Sequence, residues 1–190
     1  MSKVYEKEDF LTPSQCKLLI DYQTSHCIND LENWSSYNHD TNWKNRTVSM
    51  NNIDDLTVRR LVEVIHYKVS ILCTRSYGVD YVYPEYSNLV YWGPGMSLGA
   101  HADNMWLDTP EKPHFASYRD YSAVINLNDN YEGGKTFFQD TGYEVEQKTG
   151  KLIYFTSGKD DAHGVTEVIS GDRYTLGMWF THTEDKLYLT

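Results

Sequence analysis

Cysteine, long apolar runs and positive charge are all scarce in this chain, and each scarcity excludes a class of protein. Among 190 residues there are three cysteines, Cys16, Cys27 and Cys73, with no C-x-x-C spacing. They cannot build a disulfide framework or a cysteine zinc site, and they fit a reduced compartment. No stretch reaches the roughly 18 apolar residues of a membrane span, so no membrane is expected as a partner. The segment from Met1 to Phe10 is charged and has no apolar h-region, which predicts no secretory signal and a cytoplasmic location. Lys and Arg number 17 against 27 Asp and Glu, a formal net charge of −10, and the cations are dispersed. Such a surface repels phosphate backbones and argues against nucleic acid. Internal repeats and low-complexity tracts are missing too. What remains is one domain, residues 1–190, large enough for a real core.

Against this background His101-Ala102-Asp103 stands out, with His163 downstream and Arg173 ten residues later. Two imidazoles and one carboxylate can hold a metal on one side of its coordination sphere, leaving the other side open, as in non-haem Fe(II) oxygenases. With seven His and 27 acidic residues, about one H-x-[DE] match is expected by chance. The second match, His182-Thr183-Glu184, has no later His or Arg and reads as a solvated tail. The first has partners in the required order. A buried Arg173 would add a planar fork suited to the far carboxylate of a small diacid.

Periodicity supports that placement. Arg173 to Phe180 is rich in β-branched, aromatic and apolar residues and reads as a strand. Alternation puts Arg173, Thr175, Gly177 and Trp179 on one face and Tyr174, Leu176, Met178 and Phe180 on the other. The second face is a packing surface. The first has a cation, a hydroxyl, a gap and an indole wall, which is the make-up of a pocket.

The first 80 residues read as helical support with a polar insert. Thr12-Pro13-Ser14-Gln15 is a capping-box start for a helix fading near His26. A second helix is expected from about Asp54 to Ser76, closed by Gly78. Between them, Cys27 to Ile53 is rich in Asn, Asp and Ser, carries Trp34 and Trp43, and reads as a lid or binding loop with a short strand at Asn45 to Ser49. From Tyr81 to Thr181, short strands alternate with turn signals: Leu89–Trp92, Met96–Asp103, Tyr121–Leu127, Lys135–Gln139, Tyr143–Val145, Lys151–Phe155, His163–Ile169 and the Arg173 strand. About eight strands at this spacing predict an all-β sandwich or jelly roll with helices packed on one sheet.

Tyr118-Arg119-Asp120-Tyr121-Ser122-Ala123-Val124-Ile125-Asn126-Leu127-Asn128, followed by Tyr131-Glu132-Gly133-Gly134, resembles the core of prolyl-hydroxylase-type 2-oxoglutarate oxygenases. So does Gly150 to Phe155 leading into Ala162-His163-Gly164-Val165. The likeness is to prolyl 3-hydroxylase catalytic domains, with prolyl 4-hydroxylases close behind, and it runs from about Tyr81 to Thr181. It implies a double-stranded β-helix with Fe(II) held by His101, Asp103 and His163, and 2-oxoglutarate held by Arg173 with Thr175 beside it. Tyr91, ten residues before His101, matches a family tyrosine lining the cosubstrate pocket, and Trp179 falls where relatives place an aromatic. Ascorbate is implied as a reductant alongside O2. Asn126 stands where many relatives have Tyr, and Leu98 where prolyl 4-hydroxylases have Tyr.

The resemblance implies hydroxylation of a C–H bond with release of succinate and CO2. Peptidyl proline is the first expectation. The same chemistry on a free amino acid or other small molecule is the second, and a non-oxygenase cupin-type metal protein the third.

Overall fold

The computed structural model describes residues 3–26 and 46–186. In chain order its first elements are β1 (Tyr5–Lys7), α1 (Pro13–His26), β2 (Thr47–Ser49), α2 (Leu56–Tyr77), β3 (Tyr83–Trp92), β4 (Leu98–His101) and β5 (Tyr121–Asn126). There follow β6 (Glu132–Gly133), β7 (Thr136–Phe138), β8 (Tyr143–Glu144), β9 (Leu152–Thr156), β10 (His163–Val165), β11 (Val168–Ser170) and β12 (Arg173–Thr181). Six strands form a large sheet in the order β1-β9-β5-β12-β3-β2, and four form a smaller one, β4-β10-β7-β8. A two-stranded pair, β11-β6, completes the described strands. Every pairing is antiparallel. This is the jelly roll that the strand spacing predicts.

The helices begin and end where their capping residues dictate. The Thr12 amide donates to Gln15 Oε1 (3.0 Å) while the Gln15 amide donates to Thr12 Oγ1 (3.3 Å), so the box closes both ways. Asp55 caps α2, accepting from the Thr57 and Val58 amides, and Gly78 ends it in the left-handed region (φ 67°). At 14 residues α1 is marginal by itself in water; its buried face holds it. Leu19 and Tyr22 of α1 and Val58, Val62, Ile65 and Val69 of α2 pack with Leu89, Leu176, Met178 and Phe180 from one face of the large sheet. The opposite face meets the small sheet, where Val124, Ile153 and Phe155 pack against Phe138 and Val145.

The structure redraws the first 80 residues in two respects. β1 and β2 are the outer strands of the large sheet; β2 is the short strand expected at Asn45 to Ser49, and β1 is a strand not expected from the sequence. β1 has no apolar alternation to announce it. Its place rests on the ladder to β9, on stacking of Tyr5 against Tyr154 (5.2 Å), and on Lys151, whose buried ammonium reaches Glu6 (2.7 Å) and Glu8 (3.1 Å). The last part of the polar insert is no lid: β2 pairs with β3, and Arg46, Val48, Met50 and Ile53 are buried. Cys27, Trp34 and Trp43 lie outside the described residues. No helix among the described residues is long and apolar enough to cross a membrane, and Cys16 and Cys73 are buried free thiols.

The expected strand His163–Ile169 is two strands, β10 and β11, with a register irregularity between them and different partners. β6 was not predicted, because two residues carry no period.

Candidate active site

β4 and β10 lie side by side in the small sheet, and His101 is the ladder partner of His163. That register brings residues 62 positions apart to a ring-centroid separation of 4.6 Å. Asp103, two residues past His101, turns back between them. His101 Nε2 lies 3.5 Å from its Oδ1 and His163 Nε2 lies 3.7 Å from its Oδ2. One ligand atom from each of the three falls within 4.8 Å of the others.

The surroundings prepare these groups. His101 Nδ1 donates to the Gly99 carbonyl (3.1 Å) and His163 Nδ1 to the Asp161 carbonyl (3.0 Å), which turns both Nε2 atoms toward Asp103. Burial pushes the His163 pKa down to about 4, so at neutral pH its imidazole is in the ligand form. Burial alone would raise Asp103, but the flanking His163 and His101 imidazoles and a hydrogen bond from Ser122 hold it well below the usual carboxylate range. Ser122 Oγ donates to Asp103 Oδ2 at 2.6 Å and is shared with Ser157 Oγ at 2.8 Å. An ionised carboxylate between two imidazoles, all three tethered from behind, fits a divalent metal.

Arg173 opens β12 on the large sheet, facing the small one. It is 1% exposed, and its Nη2 donates to Thr136 Oγ1 (3.2 Å). Its Nε and Nη1 have no hydrogen-bond partner, and no carboxylate pairs with it among the described residues. Burial lowers its pKa, with Tyr131 opposing. A buried guanidinium without an acid is costly unless an anion joins it. Thr136 pairs with Val165 and Phe138 with His163. The guanidinium therefore ends two ladder positions from a triad imidazole, about 7 Å along the strand.

Thr175, on the same face as Arg173, accepts from Trp92 Nε1 (3.2 Å), which leaves its own hydroxyl proton free to donate. Tyr91 is a correction. It pairs with Tyr174, packs on that ring at 5.4 Å and donates to Asp172 Oδ1 (2.9 Å), all on the helix-covered face. The pocket face at that point belongs to its neighbour Trp92, the ladder partner of Arg173, whose indole centroid is 5.1 Å from the Arg173 guanidinium carbon.

Trp179 keeps the expected face but stands six residues along β12 from Arg173, about 20 Å of strand. It pairs with Ser122 and Tyr86, stacks on Tyr86 at 5.6 Å and has the Arg119 guanidinium at 4.5 Å. It is therefore a wall at the Asp103 end and no neighbour of Arg173. Its Nε1 is unpartnered, as is Asn88 Oδ1 opposite Gly177. Trp92, Thr136, Ser122 and Tyr131 were missed from the sequence. Only Trp92 had a usable signal, its position one residue from Tyr91.

A family model described as the 2OG-Fe(II) oxygenase superfamily matches residues 86–181. Rat prolyl 3-hydroxylase 2 is 38% identical over 97 residues, 45% of this chain and 14% of that protein. Human prolyl 3-hydroxylase 3 is 36% identical over 96 residues, 45% of this chain and 13% of that protein. The chain thus matches only a small part of these curated relatives. Among solved structures, a viral collagen prolyl hydroxylase from Paramecium bursaria Chlorella virus 1 superposes with a TM-score of 0.70 at 17% identity, covering 95% of this chain and 96% of that one. A Pseudomonas putida prolyl-4-hydroxylase gives 0.66 at 18% identity, with 96% and 94% covered.

Proposed function

The chain belongs to the 2OG-Fe(II) oxygenase superfamily, and from that premise we propose that it hydroxylates a proline residue in a peptide or protein, using Fe(II), 2-oxoglutarate and O2. In this reading His101, Asp103 and His163 hold the iron, and Arg173 with Thr175 holds the distal carboxylate of 2-oxoglutarate. One observation carries it: a buried, acid-free guanidinium lies about two ladder positions from a His-Asp-His cluster, a gap that a short diacid bridges. A metal site of the non-oxygenase cupin kind gives no reason for that cation. The bound iron and cosubstrate would supply the oxidation of the C–H bond, with succinate and CO2 released.

The chain's own groups bind, orient and exclude water. The Nδ1 hydrogen bonds of both histidines fix their ring planes, and Ser122 fixes the Asp103 carboxylate. Phe155 from the large sheet and Phe138 from the small one flank His163, at 4.5 and 6.0 Å between centroids. Trp179 and Tyr86 form a flat wall at the Asp103 end, suited to a proline ring. Trp106 and Phe115, on the segment following Asp103, are exposed and cluster around His114.

Proline as the target is supported by the similarity to prolyl 3-hydroxylases. The test is succinate release from 2-oxoglutarate with a panel of proline-containing peptides, against free proline. Peptide-dependent turnover with hydroxyproline in the product is the expected result. Turnover with free amino acids alone would move the substrate to the small-molecule class, and no 2-oxoglutarate turnover under any condition would sink the oxygenase reading.

A further inference from the structure

Tyr131 sits in the turn between β5 and β6 and is 7% exposed, yet its hydroxyl has no hydrogen-bond partner. A buried phenol without a partner forfeits the hydrogen bond that water would give it. Its ring is wedged in place. A Cβ added to Gly134 would lie 3.3 Å from Tyr131 Cε2 and 3.1 Å from Arg173 Cδ, so the two side chains share the space that this glycine, at φ +58°, leaves open. A Cβ on Gly171 would lie 3.0 Å from the Tyr131 Cα, so the turn is held from the other side too. Burial raises the phenol's pKa, and the neighbouring Arg173 charge opposes that rise, so at pH 7 the group is a neutral O–H donor.

Two unmatched donor groups therefore meet at one place: the Arg173 Nε and Nη1 and the Tyr131 O–H. Thr175 adds a third donor group, a hydroxyl whose proton is left free by the Trp92 N–H that occupies its oxygen. Neither the Arg173 Nε and Nη1 nor the Tyr131 hydroxyl makes a hydrogen bond of good geometry among the described residues. An arrangement with donors in excess and acceptors lacking fits an anion that is planar, buried and brings several lone pairs, which describes a carboxylate.

We propose that Tyr131 is a cosubstrate-binding residue, donating its phenol proton to the same distal carboxylate that Arg173 holds. The inference rests on the cosubstrate reading above and adds to it a ligand from outside β12. Its role is to set selectivity for a 2-oxo acid that has a second carboxylate over one that lacks it.

The experiment is calorimetric titration of the Mn(II)-loaded protein, which binds without turnover, with 2-oxoglutarate and with 2-oxobutyrate. The second ligand has the same oxo-acid head and no distal carboxylate. Tyr131→Phe keeps the ring and removes only the hydroxyl. It should weaken 2-oxoglutarate about tenfold or more, the range for a hydrogen bond to a charged group. Its affinity for 2-oxobutyrate should stay that of the parent, and its melting temperature should not fall, since the hydroxyl removed has no partner in the protein. Equal weakening of both ligands would assign Tyr131 to packing, and unchanged 2-oxoglutarate affinity would remove it from the site; either overturns the proposal. A parent protein that binds 2-oxobutyrate as tightly as 2-oxoglutarate would instead sink the cosubstrate reading and this inference with it.

Discussion

Trp92 and Arg173 are ladder partners across β3 and β12, and the indole carries the guanidinium carbon 5.1 Å from its ring centre while its N–H holds Thr175. Arg46 lies over the same indole at 4.2 Å. One side chain thus fixes both the cation and the hydroxyl that face the proposed carboxylate. Trp92→Phe keeps an aromatic face and loses the N–H, and should raise the KM for 2-oxoglutarate severalfold, on the order of one neutral hydrogen bond. Trp92→Leu also removes the cation–π contact and should raise it further. Steady-state kinetics with saturating substrate checks the order; equal values for the two variants would remove the cation–π contact, and values equal to the parent's would remove both contacts.

Arg173 itself should be far less replaceable. Truncating one partner of a buried charge pair costs about 3–5 kcal/mol, so Arg173→Ala should lose a hundredfold or more in 2-oxoglutarate affinity. Arg173→Lys should recover little, since an ammonium cannot reproduce the planar donor set. An unchanged KM in Arg173→Ala would mean that another cation binds the acid.

The metal cluster predicts a graded series. His163→Ala leaves two ligands and should abolish stoichiometric Mn(II) or Fe(II) binding, measured by metal analysis after desalting. Ser122→Ala keeps all three ligands but removes the 2.6 Å hydrogen bond to Asp103, and should weaken metal about 10- to 100-fold. Full metal occupancy in His163→Ala would refute the assignment.

How far this was legible from sequence depends on which physical signal each residue carried. The three proposed metal ligands and Arg173 announce themselves by type, order and spacing, and the helix ends by their caps. The phase of β3 does not. Leu89, Val90, Tyr91 and Trp92 are all apolar and all buried, because this strand is covered on both faces, so alternation gives no way to tell the pocket side from the helix side. Tyr91 is placed at the pocket by its resemblance to a family tyrosine ten residues before the first His, and the strand's own pattern holds no phase that could correct that to Trp92. Tyr131 and Thr136 come to Arg173 through a turn and a three-residue strand, where no period exists to read.

Acid should weaken the fold through His66. It is buried in α2, with Nε2 3.2 Å from the Trp179 carbonyl, and burial pushes its pKa down to about 4. In the unfolded chain the same group takes a proton near pH 6.5. The unfolded state therefore binds more protons between these values, and stability falls as pH drops from about 6.5 to 4, by up to about 3 kcal/mol. Urea midpoints of the parent and of His66→Gln across that window check this. The parent should lose its advantage as pH falls, and parallel curves would exclude His66 as the source.

The clamp between Lys151 and β1 has a consequence that concerns solubility. β9 has β5 on one side, and β1 occupies its other side over three residues. Deleting the first ten residues would leave every proposed ligand in place. It would also expose a row of unpaired backbone donors and acceptors along β9 and strip Lys151 of both carboxylates. An open strand of that kind is a template for a second chain. β1 thus covers the outer side of β9, and a variant without it is expected to self-associate, which light scattering would register before any loss of metal binding.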